Sequence, residues 1–298
     1  MVTKKRGKEM AKTYNNIYLD TRQKLVQSGV NKHDAQLEAK ELICFGSGKS
    51  IQDFPSFARF YASYETEQAI DAVVQRRLAG EPLAYILGEW DFYGLKHLLV
   101  NQDVLIPRPE TELIAERAVE IAKGSGEHAR VLDLCCGSGC IGLAVAKHAP
   151  NCRVVLADIS DEALTVARKN MTRTGLSGQI TTFHADALAD PPRLIWDFNL
   201  IVCNPPYIRS ADMATLDISV RNYEPALALD GGSDGLEFYR KIAKNWRKAM
   251  RSTCILLFEV GYDQADAVTE ILARNGYRNI RKHKDAFGVW RAVEASVM

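Results

Sequence analysis

Residues 204–207 read Asn-Pro-Pro-Tyr and directly follow the apolar run Leu-Ile-Val-Cys at 200–203. Proline fixes φ, lacks a backbone N–H and pushes the preceding residue towards extended geometry, so the tetrapeptide forms a stiff tip at the end of a buried strand. The Asn204 side-chain oxygen and the Pro205 carbonyl are acceptors free of competing backbone donors, and each can take one N–H of a planar NH2 group. Pro206 stiffens the tip, and Tyr207 offers an aromatic face to cover such a group. An amide or amino nitrogen is a poor nucleophile because its lone pair is delocalised. Orientation is therefore what a protein contributes when a methyl group is moved to it. A simple strand terminator would use the same residues, and the tetrapeptide alone does not separate the two roles.

Three other strand ends carry polar or glycine residues that would share a site with it. The turn "CCGSGC" at 135–140 opens into a helix, and Gly137 and Gly139 let backbone approach a ligand closely, with Cys135, Cys136 and Ser138 on the same turn. Asp158, next to Ile159 in "LADIS", is placed to accept from the two hydroxyls of a ribose. A helix N-cap is the alternative there, a role better suited to Ser160. Asp186, next to Ala187 in "FHADAL", is placed to receive an adenine amino group or to cap the turn that follows. The turn lacks the third glycine of a dinucleotide fingerprint, and no arginine cluster waits for a pyrophosphate. A nucleoside with a short zwitterionic arm is favoured, and S-adenosylmethionine fits: ribose at Asp158, adenine towards Asp186, the methionine arm at Gly137 to Gly139, with Asn204 bordering it.

In an open parallel sheet, ligands sit beyond the carboxyl ends of the strands, and the chain supplies such a sheet. Strand patterns at 131–134, 153–159, 179–185, 198–203 and 253–260 alternate with helical ones, and a final pair at 277–284 and 288–294 is joined by "KDAFG" as an antiparallel edge. The expected fold is α/β, a seven-stranded Rossmann-like class I methyltransferase sheet. A small helical domain precedes it over 14–87, interrupted at "GSGKS" and "FPS", after a flexible tail at 1–13. "GSGKS" lacks the phosphate-loop spacing and reads as a turn. "EWDFYGLKHLLV" predicts a hairpin around Gly94, giving a connector over 88–106 and a catalytic domain over 107–298.

With 298 residues and a formal charge of +1, the chain has the composition of a soluble globular protein and not of a nonspecific nucleic-acid coat. Seven scattered cysteines fit reduced thiols, and no Cys/His spacing suits a metal. No run spans a bilayer and the Lys-rich start lacks a signal's apolar core, so a cytoplasmic protein, expected to be a monomer without stable nucleic-acid or membrane binding, follows.

Segments "EPLAYILGEWDFYG", "VLIPRPETELIAERA", "VLDLCCGSGCIGLA", "LIVCNPPYI", "YEPALALDGGSDGLEFYRKI" and "FEVGYDQADAV" resemble the release factor glutamine methyltransferase family from about residue 20 to the end. The resemblance implies methyl transfer from S-adenosylmethionine to the glutamine amide of the Gly-Gly-Gln tip of peptide chain release factors, supporting translation termination. It also implies that Asn204, Pro205, Pro206 and Tyr207 hold that amide. The "RPET" segment, with Arg108 and Glu110, would close over cofactor and substrate. One departure stands out: the family reads Asp-Leu-Gly-Thr-Gly-Ser-Gly where this chain has Cys135 and Cys136 for the first glycine and the threonine. Asn-Pro-Pro-Tyr also occurs in enzymes that methylate adenine amino groups, so a nucleic-acid adenine methyltransferase is the enzyme alternative. A partner-binding protein with a vestigial cofactor pocket is the non-enzyme alternative.

Overall fold

The structure, a computed structural model, describes residues 11–297. Of the tail expected at 1–13, residues 1–10 lie outside the described residues. Ala62 N–H donates to the Lys12 carbonyl at 3.0 Å, and Thr13 caps the first helix. The chain divides into two compact units between Leu87 and Gly88.

The first unit holds helices α1 (Tyr14–Gln27), α2 (Lys32–Ser47), α3 (Phe54–Phe57), α4 (Tyr64–Leu78) and α5 (Leu83–Leu87). Thr13, Asn31 and Ser63 place side-chain oxygens on the first free N–H groups of α1, α2 and α4. Leu25, Leu42, Ile43 and Ile70 form the buried centre. In "GSGKS", Gly48 ends α2 in the left-handed conformation at φ +66°. The interruption expected at "FPS" is corrected: Pro55 sits in the first turn of α3, where the missing N–H has no helical partner to lose.

The second unit opens with a hairpin, β1 (Glu89–Phe92) and β2 (Leu95–Leu99). Its two-residue loop, Tyr93-Gly94, has φ of +41° and +74°, the left-handed pair that matches strand twist. The chain then runs α6 (Thr111–Gly124), β3 (Arg130–Leu134), α7 (Cys140–His148), β4 (Arg153–Asp158), α8 (Asp161–Arg173), β5 (Ile180–His184) and β6 (Phe198–Cys203). It closes with α9 (Ile218–Arg221), α10 (Glu237–Asn245), β7 (Met250–Glu259), α11 (Ala265–Arg274), β8 (Arg278–Lys284) and β9 (Trp290–Ser296).

Seven strands form one sheet in the order β5-β4-β3-β6-β7-β9-β8. The first five in chain order are parallel, and β9 runs antiparallel between β7 and β8. Side chains alternate between faces as the pleat requires: Leu200 and Val202 join the core under α6, α7 and α8, while Ile201 and Cys203 join the core under α10 and α11. Strand order reverses between β3 and β6, and there the carboxyl ends leave a crevice. All seven cysteines are free thiols, and all but Cys135 are buried.

Candidate active site

A cavity of about 210 Å³ opens at that reversal point. Of the residues expected at a cofactor, Cys135, Cys136, Gly137, Ser138, Asp158, Ile159, Asp186, Ala187 and Asn204 line it, and Gly139 does not. Of those expected at a substrate, Asn204, Pro206 and Arg108 line it, whereas Pro205, Tyr207 and Glu110 are not among its lining residues.

The glycine turn is held from both sides. Gly137 N–H donates to Asp158 Oδ2 at 2.9 Å, and Ser160 N–H donates to Asp158 Oδ1 at 3.0 Å. Ser160, not Asp158, caps α8, accepting from Ala163 N–H at 3.0 Å. Burial raises the Asp158 pKa, against the pull of these backbone N–H groups. A Cβ built on Gly137, at φ +52°, would meet nothing within 4 Å, so the turn presents bare backbone to open space. Cys135 adopts φ +61° although it is not glycine, a conformation costing about 1–2 kcal/mol. Asp186 accepts from Leu188 N–H through Oδ1 at 2.8 Å, the turn-capping bond weighed from sequence, while still lining the cavity.

Asn204 follows β6 at the reversal point, and among the described residues its side-chain amide makes no hydrogen bond. Pro205 and Pro206 are buried behind and beside it. Burial pushes the Tyr207 phenol up to about 12, with the Glu259 carboxyl adding to the effect, so the ring stays neutral.

Side chains that the motifs did not single out brace these parts. Asn170, wholly buried on α8, donates to the Ser138 carbonyl at 3.0 Å and exchanges two bonds with Leu99 of the hairpin, at 2.7 and 3.0 Å. Glu224 is buried, pairs with Arg108 and accepts from Ile106 N–H at 3.2 Å, fixing the segment ahead of α6. Neither residue receives a role from the sequence, although Glu224 lies in the family-like segment that opens at Tyr223, because each acts through a partner more than 70 positions away.

The geometry matches known proteins along both units. Residues 18–88 match the family model described as PrmC N-terminal domain, and residues 111–226 match the Methyltransferase small domain. A release factor glutamine methyltransferase of Thermodesulfovibrio yellowstonii is 37% identical over 270 residues, covering 89% of this chain and 94% of that protein. One from Geobacter sulfurreducens is 38% identical over 277 residues, covering 92% and 93%. The chain belongs to the release factor glutamine methyltransferase family. The fold is shared more widely: a methyltransferase from Pyrococcus furiosus, 17% identical, superposes with a TM-score of 0.51 over 75% of this chain and 96% of its own.

Within this family member, two buried carboxyls flank the site. Burial pushes Asp133 up to about 7, with Gly142 N–H donating to Oδ2 at 2.8 Å and Oδ1 left without a partner. Burial likewise pushes Glu259 up to about 7, against the nearby Thr111 hydroxyl and Arg291. In an unfolded chain such groups titrate near ~4. Between that pH and 7 the folded state holds more protons, so the stability tied to these groups is present at low pH and lost as pH rises through 7. Melting temperature is therefore expected to fall from pH 5 to pH 8. Glu259→Gln, which cannot ionise, is expected to reduce that fall by roughly 3 °C in thermal scans; an unchanged slope would mean that Glu259 ionises normally.

Proposed function

We propose that the chain transfers a methyl group from S-adenosylmethionine to the side-chain amide nitrogen of the glutamine in the Gly-Gly-Gln motif of peptide chain release factors, supporting translation termination. The observation that carries this reading is one cavity lined by the glycine turn, Asp158 and the unpartnered Asn204 amide together.

The lining suits the cofactor. Each Asp158 oxygen takes one backbone N–H and keeps a lone pair, which fits two adjacent ribose hydroxyls. Asp186 has Oδ2 left for an adenine amino group, Ile159 and Leu188 supply apolar surface, and Gly137 leaves room for the methionine arm. When bound, S-adenosylmethionine supplies an electrophilic methyl group on a sulfonium. Asn204 Oδ1 and the Pro205 carbonyl each accept one N–H of the glutamine amide and hold its plane. Tyr207 covers it, and Arg108 and Glu110 close the mouth. No strong base is needed, because the nitrogen becomes acidic as it gains the methyl group and its proton passes to water.

A test compares release factor carrying Gly-Gly-Gln with factor carrying Gly-Gly-Glu. Labelled methyl is expected only in the first; equal labelling of both would overturn the amide reading, and labelled DNA beside unlabelled factor would favour the adenine alternative.

The helical unit recognises the body of the factor, since one glutamine side chain buries too little surface to select a protein. The chain 88–298 is expected to bind S-adenosylhomocysteine within about twofold of the full chain while methylating intact factor at less than about a hundredth of the rate. Full activity of a folded truncation would refute the docking role. The protein is expected to act as a cytoplasmic monomer. Among the described residues, no helix is long and apolar enough to cross a membrane.

A further inference from the structure

The segments "LDGGSDGLEF" and "FEVGYDQ" carry no role in the reading above, yet they enclose the catalytic tip from behind. Ile208 N–H donates to the Leu229 carbonyl at 3.0 Å and Gly231 N–H to the Ile208 carbonyl at 2.8 Å. A Cβ at Gly231 would lie 2.6 Å from Tyr207 Cα and 2.7 Å from the Pro206 carbonyl oxygen, so the two segments touch backbone to backbone. At the centre is Gln264, 4% exposed. Its Nε2 donates to the Tyr207 carbonyl at 2.9 Å and to the Gly235 carbonyl at 3.2 Å, and its Oε1 accepts from Gly261 N–H at 3.0 Å. The Tyr239 hydroxyl, which donates to the Glu259 carbonyl at 3.0 Å, lies 3.4 Å from Oε1.

The amide's orientation is fixed by its surroundings. Turned over, Gln264 would set its oxygen against two carbonyls and its NH2 against a backbone N–H. We infer that Gln264 is a positioning residue for methyl transfer: through the Tyr207 carbonyl it locks the Asn204–Tyr207 tip onto the Gly231–Gly235 segment and so sets the direction of the tip's acceptors. The inference rests on the reading that this tip holds the glutamine amide. Gln264 itself does not line the cavity, and the main cofactor contacts, Asp158 and the glycine turn, lie on other elements, so cofactor affinity is expected to change far less than turnover although Asn204 borders the cofactor.

Gln264→Glu is the decisive variant, because it keeps the shape and puts an acceptor where two carbonyls need a donor. Ionised, it repels both; protonated, it donates to one. The titratable group at its amide is the Tyr239 hydroxyl, with Asp263, paired to Arg209, next to it in the chain; the Tyr207 phenol and the Glu259 carboxyl act on Tyr239 in turn, and burial pushes Glu259 up to about 7. Rates are therefore read as a ratio to wild type at each pH. Methyl transfer to full-length release factor is measured at saturating cofactor beside the calorimetric Kd for S-adenosylhomocysteine. At pH 8.5, kcat is expected to fall about a hundredfold with Kd within about twofold of wild type, and the ratio to recover at least about tenfold at pH 6. Gln264→Met, neutral and of similar length, is expected to lose about tenfold in kcat at both pH values. Loss of cofactor affinity in both variants would make Gln264 a folding residue and overturn the assignment, as would wild-type kcat in either. A wild-type enzyme that leaves the glutamine unmodified removes the reading beneath the inference, a result distinct from any of these.

Discussion

Asn204→Ala is expected to lower turnover by about a hundredfold or more at saturating cofactor, a loss of roughly 2.7 kcal/mol in transition-state stabilisation. Its melting temperature is expected to stay close to that of wild type. The reason is geometric. The Asn204 amide makes no hydrogen bond among the described residues, so truncating it leaves no buried partner unpaired. Strand β6 is held by β3 on one side and β7 on the other, and the two buried prolines remain. On the proposed reading, the variant loses one of two acceptors for the glutamine N–H groups, and with it the alignment of a weak nucleophile. Asn204→Asp keeps an acceptor at nearly the same place and is expected to retain part of the activity. A residue that merely ended a strand would give the reverse pattern, with stability falling and chemistry spared. Methyl-transfer rates read beside thermal melts separate the two.

Asp158→Ala is expected to weaken S-adenosylhomocysteine binding about ten- to 150-fold, the cost of hydrogen bonds to a charged acceptor at roughly 1.5–3 kcal/mol. Asp158 has a second task, since it ties Gly137 of the turn to the start of α8. The turn keeps another anchor, the Cys136 N–H bond to the Ala157 carbonyl at 3.0 Å, so the strand ends are expected to stay in place. Affinity for the release factor, measured by the same calorimetry, is expected to change less than about threefold, because the partners proposed for Asp158 are ribose hydroxyls. Cofactor affinity equal to wild type would remove Asp158 from the site.

The sheet was legible because its central parallel strands, covered on both faces, carry buried apolar runs such as those at 200–203 and 256–258 that stand out between helical patterns, whereas the edge strand β5 is half-exposed and mixed in polarity. The strand-end residues were legible for a related reason: Asp158 and Asn204 are polar where a mostly buried run stops, and Asp186 holds the corresponding place after β5. Other features leave no local trace. Asn170, Glu224 and Gln264 receive no role from the sequence, even though Glu224 and Gln264 fall in family-like segments, because what they do depends on distant backbone groups. Buried carboxyls are equally silent, since the desolvation acting on Asp133 and Glu259 comes from packing and not from neighbours in the chain. The short helix α3 was hidden because proline reads as a breaker unless its place in the first turn is known. Cys135 shows how a departure from the family pattern is absorbed. The backbone keeps the left-handed conformation that glycine takes easily, and the side chain packs against the core under α10 and α11.

The central claim is that the planar nitrogen presented to the Asn204–Tyr207 tip belongs to a glutamine side chain. It is tested most directly by incubating purified release factor with the enzyme and isotope-labelled S-adenosylmethionine, then mapping the label by peptide mass spectrometry. The account predicts a gain of one methyl group confined to the Gly-Gly-Gln peptide and carried on the glutamine side chain. Label on any other residue of the factor, or on nucleic acid with the factor unmodified, would contradict it.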